Sequence, residues 1–337
     1  MTYCTRSVAL AAGAMLGLVS VAAYAGDSQS PYIIPLKAYS SPYPGYDPIN
    51  PYYSWETYQS FQSWLHMVSA TQNAQPHWMT PLVTVTPRLE QEFRADFYSQ
   101  KNGPTSNGQG NGQQLENFGG PGGFRMEIIP AYNVEAIVAI PPYESANGPK
   151  GDATGWGDWP MFLFKYRFFS ANEQNGNYIV TGFFQMTDPL GEHAKISTNV
   201  WTAQPTLAFG KGWGDFDIQM TVSQQYPVAA HPTPGNTAAV NMTNFGDPIL
   251  WNTTFQYHFM EYFWPEIEVN YEYWPNGEHA GLSQVLLTPG IIFGRFQIGK
   301  DNPDRPVNLV VGAGYQFAVT ANPVTANNIV ATLRVTF

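Results

Sequence analysis

The chain has 337 residues, of which 15% are aromatic and only 12% charged, with a net charge of −10 and one cysteine. Soluble chains usually carry about twice that charged fraction, roughly 25%. With no basic run to neutralise phosphates, nucleic acid is excluded as a partner.

The first residues read as an export signal spanning residues 1–25. Arg6 supplies a short positive region, Val8 to Ala23 is small and apolar, and Ala23-Tyr24-Ala25 gives an A-x-A cleavage site before Gly26. Cys4 falls inside this signal, so the mature chain is expected to hold no thiol and no disulfide. No other stretch approaches the roughly 20 apolar residues of a membrane helix. A transmembrane β-barrel lacks such stretches too, because lipid-facing and lumen-facing residues alternate.

Residues 26–80 form an N-terminal segment with a periplasmic or lumen-plugging place. Pro31 to Tyr53 is dense in Pro and Tyr, which forbids a helix and favours extended backbone. Ser54 to Ala70 then takes helical spacing, with Trp55, Tyr58, Phe61, Trp64, Leu65 and Val68 in one stripe. Ser54 is the N-cap and Glu56 the first-turn acid. This short amphipathic helix packs on the barrel, plugs its lumen or lies at the membrane face; the sequence leaves the three open.

From about residue 81 to Phe337 the pattern changes to period two. Twelve strands are expected, near 82–98, 123–130, 133–142, 158–169, 177–187, 197–210, 214–226, 248–260, 263–274, 283–298, 306–319 and 327–337. Most run to ten residues or more, the length of a tilted membrane strand. Long Gly/Asn/Pro-rich connections at 99–122, 143–157, 188–196, 227–247, 275–282 and 320–326 alternate with short turns. With a periplasmic N-terminus all long connections fall outside, the loop asymmetry of bacterial outer-membrane barrels. The last strand alternates most clearly. Ile329, Ala331, Leu333, Val335 and Phe337 share one face, and Asn328, Thr332, Arg334 and Thr336 the other, with Val330 the apolar exception. The fold class is therefore all-β: a transmembrane antiparallel barrel of about 12 strands behind a Pro/Tyr-rich segment and a short helix.

The candidate site is the lumen. Arg88, Glu90, Glu92, Arg94 and Asp96 share one face of the expected first strand. Lys165, Arg167, Asp217, Glu266, Glu268, Glu272 and Arg334 take the inward face of later ones, beside Arg125, Glu127 and Asp215. Inward charges cost little when paired or wet and a great deal when they face lipid. They either cross-pair and fill a narrow barrel, or line a pore that disfavours anionic solutes. Aromatics including Trp251, Tyr257, Phe259, Phe263, Trp264 and Trp274 are expected in interfacial girdles, and an inward Phe183 could extend a greasy path.

Catalysis is not expected. His279 and Ser283 lie in one turn-like stretch without a supporting acid, and the six histidines are scattered without metal-ligand spacing. No metal site and no cofactor are expected.

Gly155-Trp156-Gly157-Asp158 followed by Trp159 to Phe169 (WPMFLFKYRFF) resembles the Gly-x-Gly-Asp and Lys-Tyr-Arg-Phe strand of the outer-membrane transporters associated with meta-pathway phenol degradation. Gly212-Trp213-Gly214-Asp215 and the closing Phe337 add to the likeness, which runs from about residue 82 to the end. Two features depart from it: Thr187-Asp188-Pro189-Leu190-Gly191 replaces a Pro-Thr-Gly-type strand end, and the N-terminal segment is unusually long. The resemblance implies passage of hydrophobic or aromatic compounds and names no site residues. It also implies that barrel assembly machinery recognises the strand ending in Phe337.

The resulting expectation is an outer-membrane channel for passive uptake of small solutes, hydrophobic or aromatic ones among them, with membrane lipid around it. The alternative is a closed structural or surface-display barrel whose outer loops bind a partner.

Overall fold

A computed structural model of the chain describes residues 57–105, 112–148, 151–192, 196–298 and 307–337. The expected signal, the Pro/Tyr-rich segment and the proposed cap at Ser54 lie outside them.

Helix α1 (Thr57–Asn73) comes first. Its Trp64, Met67 and Val68 pack on Leu89, Ile129 and Tyr132, and the Trp64 indole donates to the Ile129 carbonyl at 2.8 Å. Residues 74–91 follow with no regular secondary structure. Then come β1 (Glu92–Asn102), β2 (Gln114–Gly119), β3 (Phe124–Ala131), β4 (Val134–Ile140), β5 (Tyr143–Asn147), β6 (Ala153–Trp156), β7 (Trp159–Ala171), β8 (Tyr178–Asp188), β9 (Val200–Trp213), β10 (Phe216–Gln224) and β11 (Tyr226–Ala230). A short helix, α2 (Ala238–Phe245), capped by Thr237, precedes β12 (Ile249–Tyr257), β13 (Phe263–Tyr273), β14 (Ser283–Gln297), β15 (Asn308–Ala318) and β16 (Thr325–Thr336).

Strands β1, β3, β4, β7, β8, β9, β10, β12, β13, β14, β15 and β16 pair antiparallel in that order, and β16 pairs β1 to close the ring. The seam is long and regular, running from Glu92↔Thr336 to Lys101↔Asn327 before a bulge at Asn102. Closure leaves no free edge around the ring, so every wall strand has partners on both sides.

The twelve expected strands map one to one onto this ring, with two corrections. The first strand starts at Glu92, not near residue 82. Pro81 and Pro87 have no amide hydrogen to give a ladder, yet Arg88, Glu90 and Glu92 keep the alternation that mimics a strand. The connections 99–122 and 143–157 are not simple loops either. β2 pairs Asp96–Lys101 of β1 while β3 pairs Glu92–Arg94, so β2 and β3 are one strand broken at 120–123. β5 continues β4 past Pro141-Pro142, and β6 leads into β7 past Gly157-Asp158. At the first break Gly120 and Gly123 take φ of 70° and 68°, which side chains with a Cβ rarely adopt. The outer part of β1, left free by β3, thus gains a partner.

The outer surface is apolar on all sides. Val138, Ile140, Phe164, Leu207, Trp251, Ile267, Tyr315, Ile329 and Leu333 are exposed, on strands whose intervening residues are buried or partly buried. A barrel in water would invert that arrangement; a hydrocarbon surround explains it. Trp264 and Trp274 correct the girdle expectation, since both are buried. Trp264 shares the parity of Glu266 and Glu268, faces inward, and stacks on His258 with ring centroids 4.0 Å apart.

Candidate solute path and its plug

Residues 74–91 lie inside the barrel. They enter at the short-turn end, where Ser170 donates to the Ala74 carbonyl at 2.6 Å and Asn172 to the Asn73 carbonyl at 3.1 Å. They reach Phe183, midway along β8, where Val85 packs with Phe183, Ile137, Leu163 and Ala208. They return to the same end to begin β1.

An irregular buried segment must find partners for its backbone groups outside any ladder. Here barrel side chains supply them. Arg334 donates to the carbonyls of Thr80 and Pro81, the latter at 2.6 Å. Arg94 donates to Leu82 O at 2.8 Å, and Arg295 to His77 O and Trp78 O at 3.0 and 3.1 Å. Arg88, itself in the segment, folds back onto the Pro76 and Trp78 carbonyls. Gln219 donates to Met79 O at 2.8 Å and Thr181 to Pro87 O at 2.6 Å. On the acceptor side, Glu268 takes the amides of Val83 and Thr84 at 2.7 and 2.6 Å. Glu266 takes Leu82 N at 3.1 Å, and Glu135 takes Glu90 N at 2.6 Å. Apart from those of Gln219 and Thr181, each of these bonds involves a charged group, and such bonds contribute about 1.5–3 kcal/mol.

The wall is also shaped for the segment. Leu82 lies against Gly290, Gly312 and Gly314, where a Cβ on Gly312 or Gly314 would come within 2.9 or 2.8 Å of its methyl carbons. Trp78 lies against Gly210 and Gly212 in the same way. Trp78, Met79 and Leu82 form one apolar cluster with Tyr98, Ile179, Trp264, Ile292, Val310 and Val330. Val330, the apolar exception in the last strand's polar face, is a plug contact.

The expected lumen residues divide accordingly. Arg88 and Glu90 are not on a strand; they belong to the plug and pair with each other at 2.9 Å. Glu92, Arg94 and Asp96 on β1, Lys165 and Arg167 on β7, Asp217 on β10, Glu266, Glu268 and Glu272 on β13 and Arg334 on β16 are on the ring. All but Glu272 are buried. Arg94 pairs with Asp96 at 2.9 Å, and Arg125 bridges Asp96 at 3.4 Å and Glu127 at 2.9 Å. Arg167 holds the end of α1 through Thr71 O at 2.7 Å and the β3–β4 turn through Asn133. Lys165 lies 2.9 Å from Glu135, with its ammonium 5.3 Å from the Phe183 ring centroid. Phe183 is therefore covered by Val85 and a cation and does not extend an open apolar path.

Glu135, Arg295 and Gln75 were not among the residues the sequence placed in the lumen. Glu135 is the lone carboxylate of VEAIVAI, and its parity with Ile137 and Ala139 was the available signal. Gln75 imitates a strand partner, exchanging both bonds with the Leu89 backbone at 2.8 and 3.0 Å.

At the short-turn mouth, outside the barrel strands, Glu173 accepts from both the backbone amide and the ring of His77, at 2.5 and 2.9 Å. Burial pushes the Glu173 carboxyl up, but these two bonds outweigh it and hold it down at about 2. At the opposite end His279 packs near Trp274. No group of three or more His, Cys, Asp or Glu among the described residues could hold a metal ion.

Above the plug the wall changes character. Inward positions there are carboxamides and hydroxyls, linked laterally. Gln204 donates to Ser223 at 3.1 Å, Asn270 to Asn252 at 3.0 Å and Gln316 to Asn270 at 3.0 Å. Several of them, Gln185, Gln204, Thr206 and Asn252 included, are partly exposed although they point into a closed ring.

No protein-family model matches this chain. No curated protein matches it either. Among solved structures it is similar to the crystal structure of an outer membrane channel from Pseudomonas putida F1, at 12% identity over 74% of this chain and 96% of that one, TM-score 0.48. It is similar also to the NanC porin (9%; 72% and 98%; 0.40) and to the CymD monoaromatic hydrocarbon channel (9%; 74% and 88%; 0.37). Likeness of this degree extends to barrel shape and no further. The phenol-pathway resemblance rests on the sequence motifs quoted above.

Proposed function

We propose that this protein is a bacterial outer-membrane channel for small solutes, closed at rest on its periplasmic side by residues 74–91. The observation that carries the reading is the pairing of an apolar exterior with a polar interior on a ring without edges. Both the plug entrance and the C-terminus lie at the short-turn end, which is the periplasmic end in such barrels. Solute enters from the side of the long connections, meets the polar chamber above the plug, and passes when the plug yields. Of the solutes that the family resemblance implies, those carrying a hydroxyl, phenols included, match the chamber's hydrogen-bonding wall.

Planar-bilayer recording tests the reading. A Thr84→Pro/Val85→Asp variant removes one amide held by Glu268 and puts a charge in the apolar tip cluster. It should conduct far more often than the parent, with folding checked by heat-dependent gel mobility. A folded variant as silent as the parent would end the channel reading.

A specific observation favours the second reading, a closed structural or surface-display barrel. The plug's backbone is satisfied from almost every side, and several of the lumen charges are paired. That barrel would stay silent in the same recordings.

A further inference from the structure

We infer that the carboxamide arc above the plug is a binding site for small, uncharged, polyhydroxylated solutes. This rests on the channel reading for its biological use, but the binding itself does not.

The arc runs along adjoining strands at one level. Gln204 on β9 bonds Ser223 on β10, Asn252 on β12 donates to Thr221 on β10 at 3.4 Å, Asn270 on β13 bonds Asn252, and Gln316 on β15 bonds Asn270. Gln316 stands in register with Asn328 on β16. These side chains form a lateral chain of donors and acceptors on the inner wall, in which Gln204 and Asn252 are partly exposed and Asn270, Gln316 and Asn328 are buried.

Three features point to a neutral hydroxylated ligand. First, a carboxamide offers two donors and an acceptor with two lone pairs, so each link can exchange its neighbour for a hydroxyl without any charge moving. Second, ionised side chains are scarce at this level. The strand charges that face the lumen are concentrated lower, on the plug. The carboxylates that do occur near the chamber are matched with amides, Glu272 with Gln284 at 3.0 Å and Glu144 with Asn117 at 2.5 Å. Third, the Asn328 carbonyl oxygen is buried and has no partner, although Asn328 is only 1% exposed. A buried acceptor left unmade costs about 1–3 kcal/mol, and a solute hydroxyl is the donor it lacks. Among the described residues no cation stands in the arc to pair with an anion, and a cation would have to break the existing amide–carboxylate bonds.

The test uses the full-length protein in detergent micelles and one sugar skeleton in three charge states: glucose, gluconate and glucosamine. Saturation-transfer NMR should show glucose bound with millimolar affinity, at least fivefold tighter than either charged analogue. Asn270→Leu/Gln316→Leu, which removes two links while leaving the plug contacts untouched, should weaken glucose binding at least fivefold. Asn328→Leu should weaken it too, since it removes the orphan acceptor. Heat-dependent gel mobility confirms that each variant is folded. Equal transfer to all three sugars, preference for gluconate or glucosamine, or unchanged glucose binding in the folded double variant would overturn the site. Liposome swelling with the same sugars is read separately. Glucose binding without permeation refutes the channel and keeps the site, whereas permeation unaffected by the double variant keeps the channel and refutes the site.

Discussion

Arg94 and Arg334 stand directly opposite one another across the seam that closes the barrel, both pointing inward. Two like charges in register on neighbouring strands normally destabilise a sheet. Here each is committed to a different part of the plug, Arg94 to Leu82 O and Arg334 to Thr80 and Pro81, with Asp96 accepting from Arg94. The plug thus converts a repulsive cross-strand pair into a clamp over the seam.

Arg334→Met should therefore cost about 3–5 kcal/mol, the loss seen when one partner of a buried charged network is removed. Denaturant unfolding in detergent would measure it. Arg94→Met/Arg334→Met should be less damaging than the sum of the single changes, with a coupling of about 0.5–3 kcal/mol in a double-mutant cycle. Strict additivity would mean that the two arginines act independently.

Lys165 and Glu135 make a second closed pair. Lys165→Met leaves the buried Glu135 carboxylate without its cation and should cost about 3–5 kcal/mol, whereas Lys165→Met/Glu135→Gln should recover much of that loss. Chemical denaturation of the three variants reads the difference directly.

The Leu82 cradle predicts a size exchange. Gly314→Ala places a methyl 2.8 Å from a Leu82 methyl carbon, an overlap costing about 1–3 kcal/mol. Leu82→Ala in the same chain should restore stability and leave a better-tolerated lumen than Leu82→Ala alone. A Gly314→Ala protein as stable as the parent would show that the plug tip can shift aside freely.

At the short-turn mouth, Glu173 should titrate near 2, held there by His77. A carboxyl depressed in the folded state contributes stability above its unfolded value, about 4.3, and that contribution is lost as pH falls through the folded value near 2. The window is therefore acid, below about pH 4.5. Both side chains are well exposed, so screening keeps the effect small. Carbon-detected NMR of the Glu173 carboxyl in His77→Ala should show its midpoint move up toward the ordinary carboxylate range.

The ring was legible in the sequence because its strands obey one rule, apolar outward and polar inward. β10, β13 and β16 show it residue by residue, and even Trp264 could have been placed inside from its parity with Glu266. The plug was not legible, and the reason is physical. Arg88, Glu90, Glu92, Arg94 and Asp96 continue a single alternation across the point where the backbone leaves the lumen and joins the wall. Period two records which side a residue faces, and a segment lying in the lumen has the wall on every side. Only Pro81 and Pro87 marked the difference. Many of the strand charges are bonded to peptide groups of residues 76–90, partners that no spacing rule reveals. The amide arc was missed because uncharged residues on a strand's polar face resemble ordinary solvated ones.

Because residues 74–91 enter and leave by the same mouth, the chain inside the barrel is a bight, not a thread. Withdrawing residues 74–91 by that mouth would part none of the wall strands. One of its tethers is the Phe337 amide, which donates to the Gln91 carbonyl at 3.0 Å. Phe337 is thus moored to the base of the plug, so seating the plug and completing β16 are coupled.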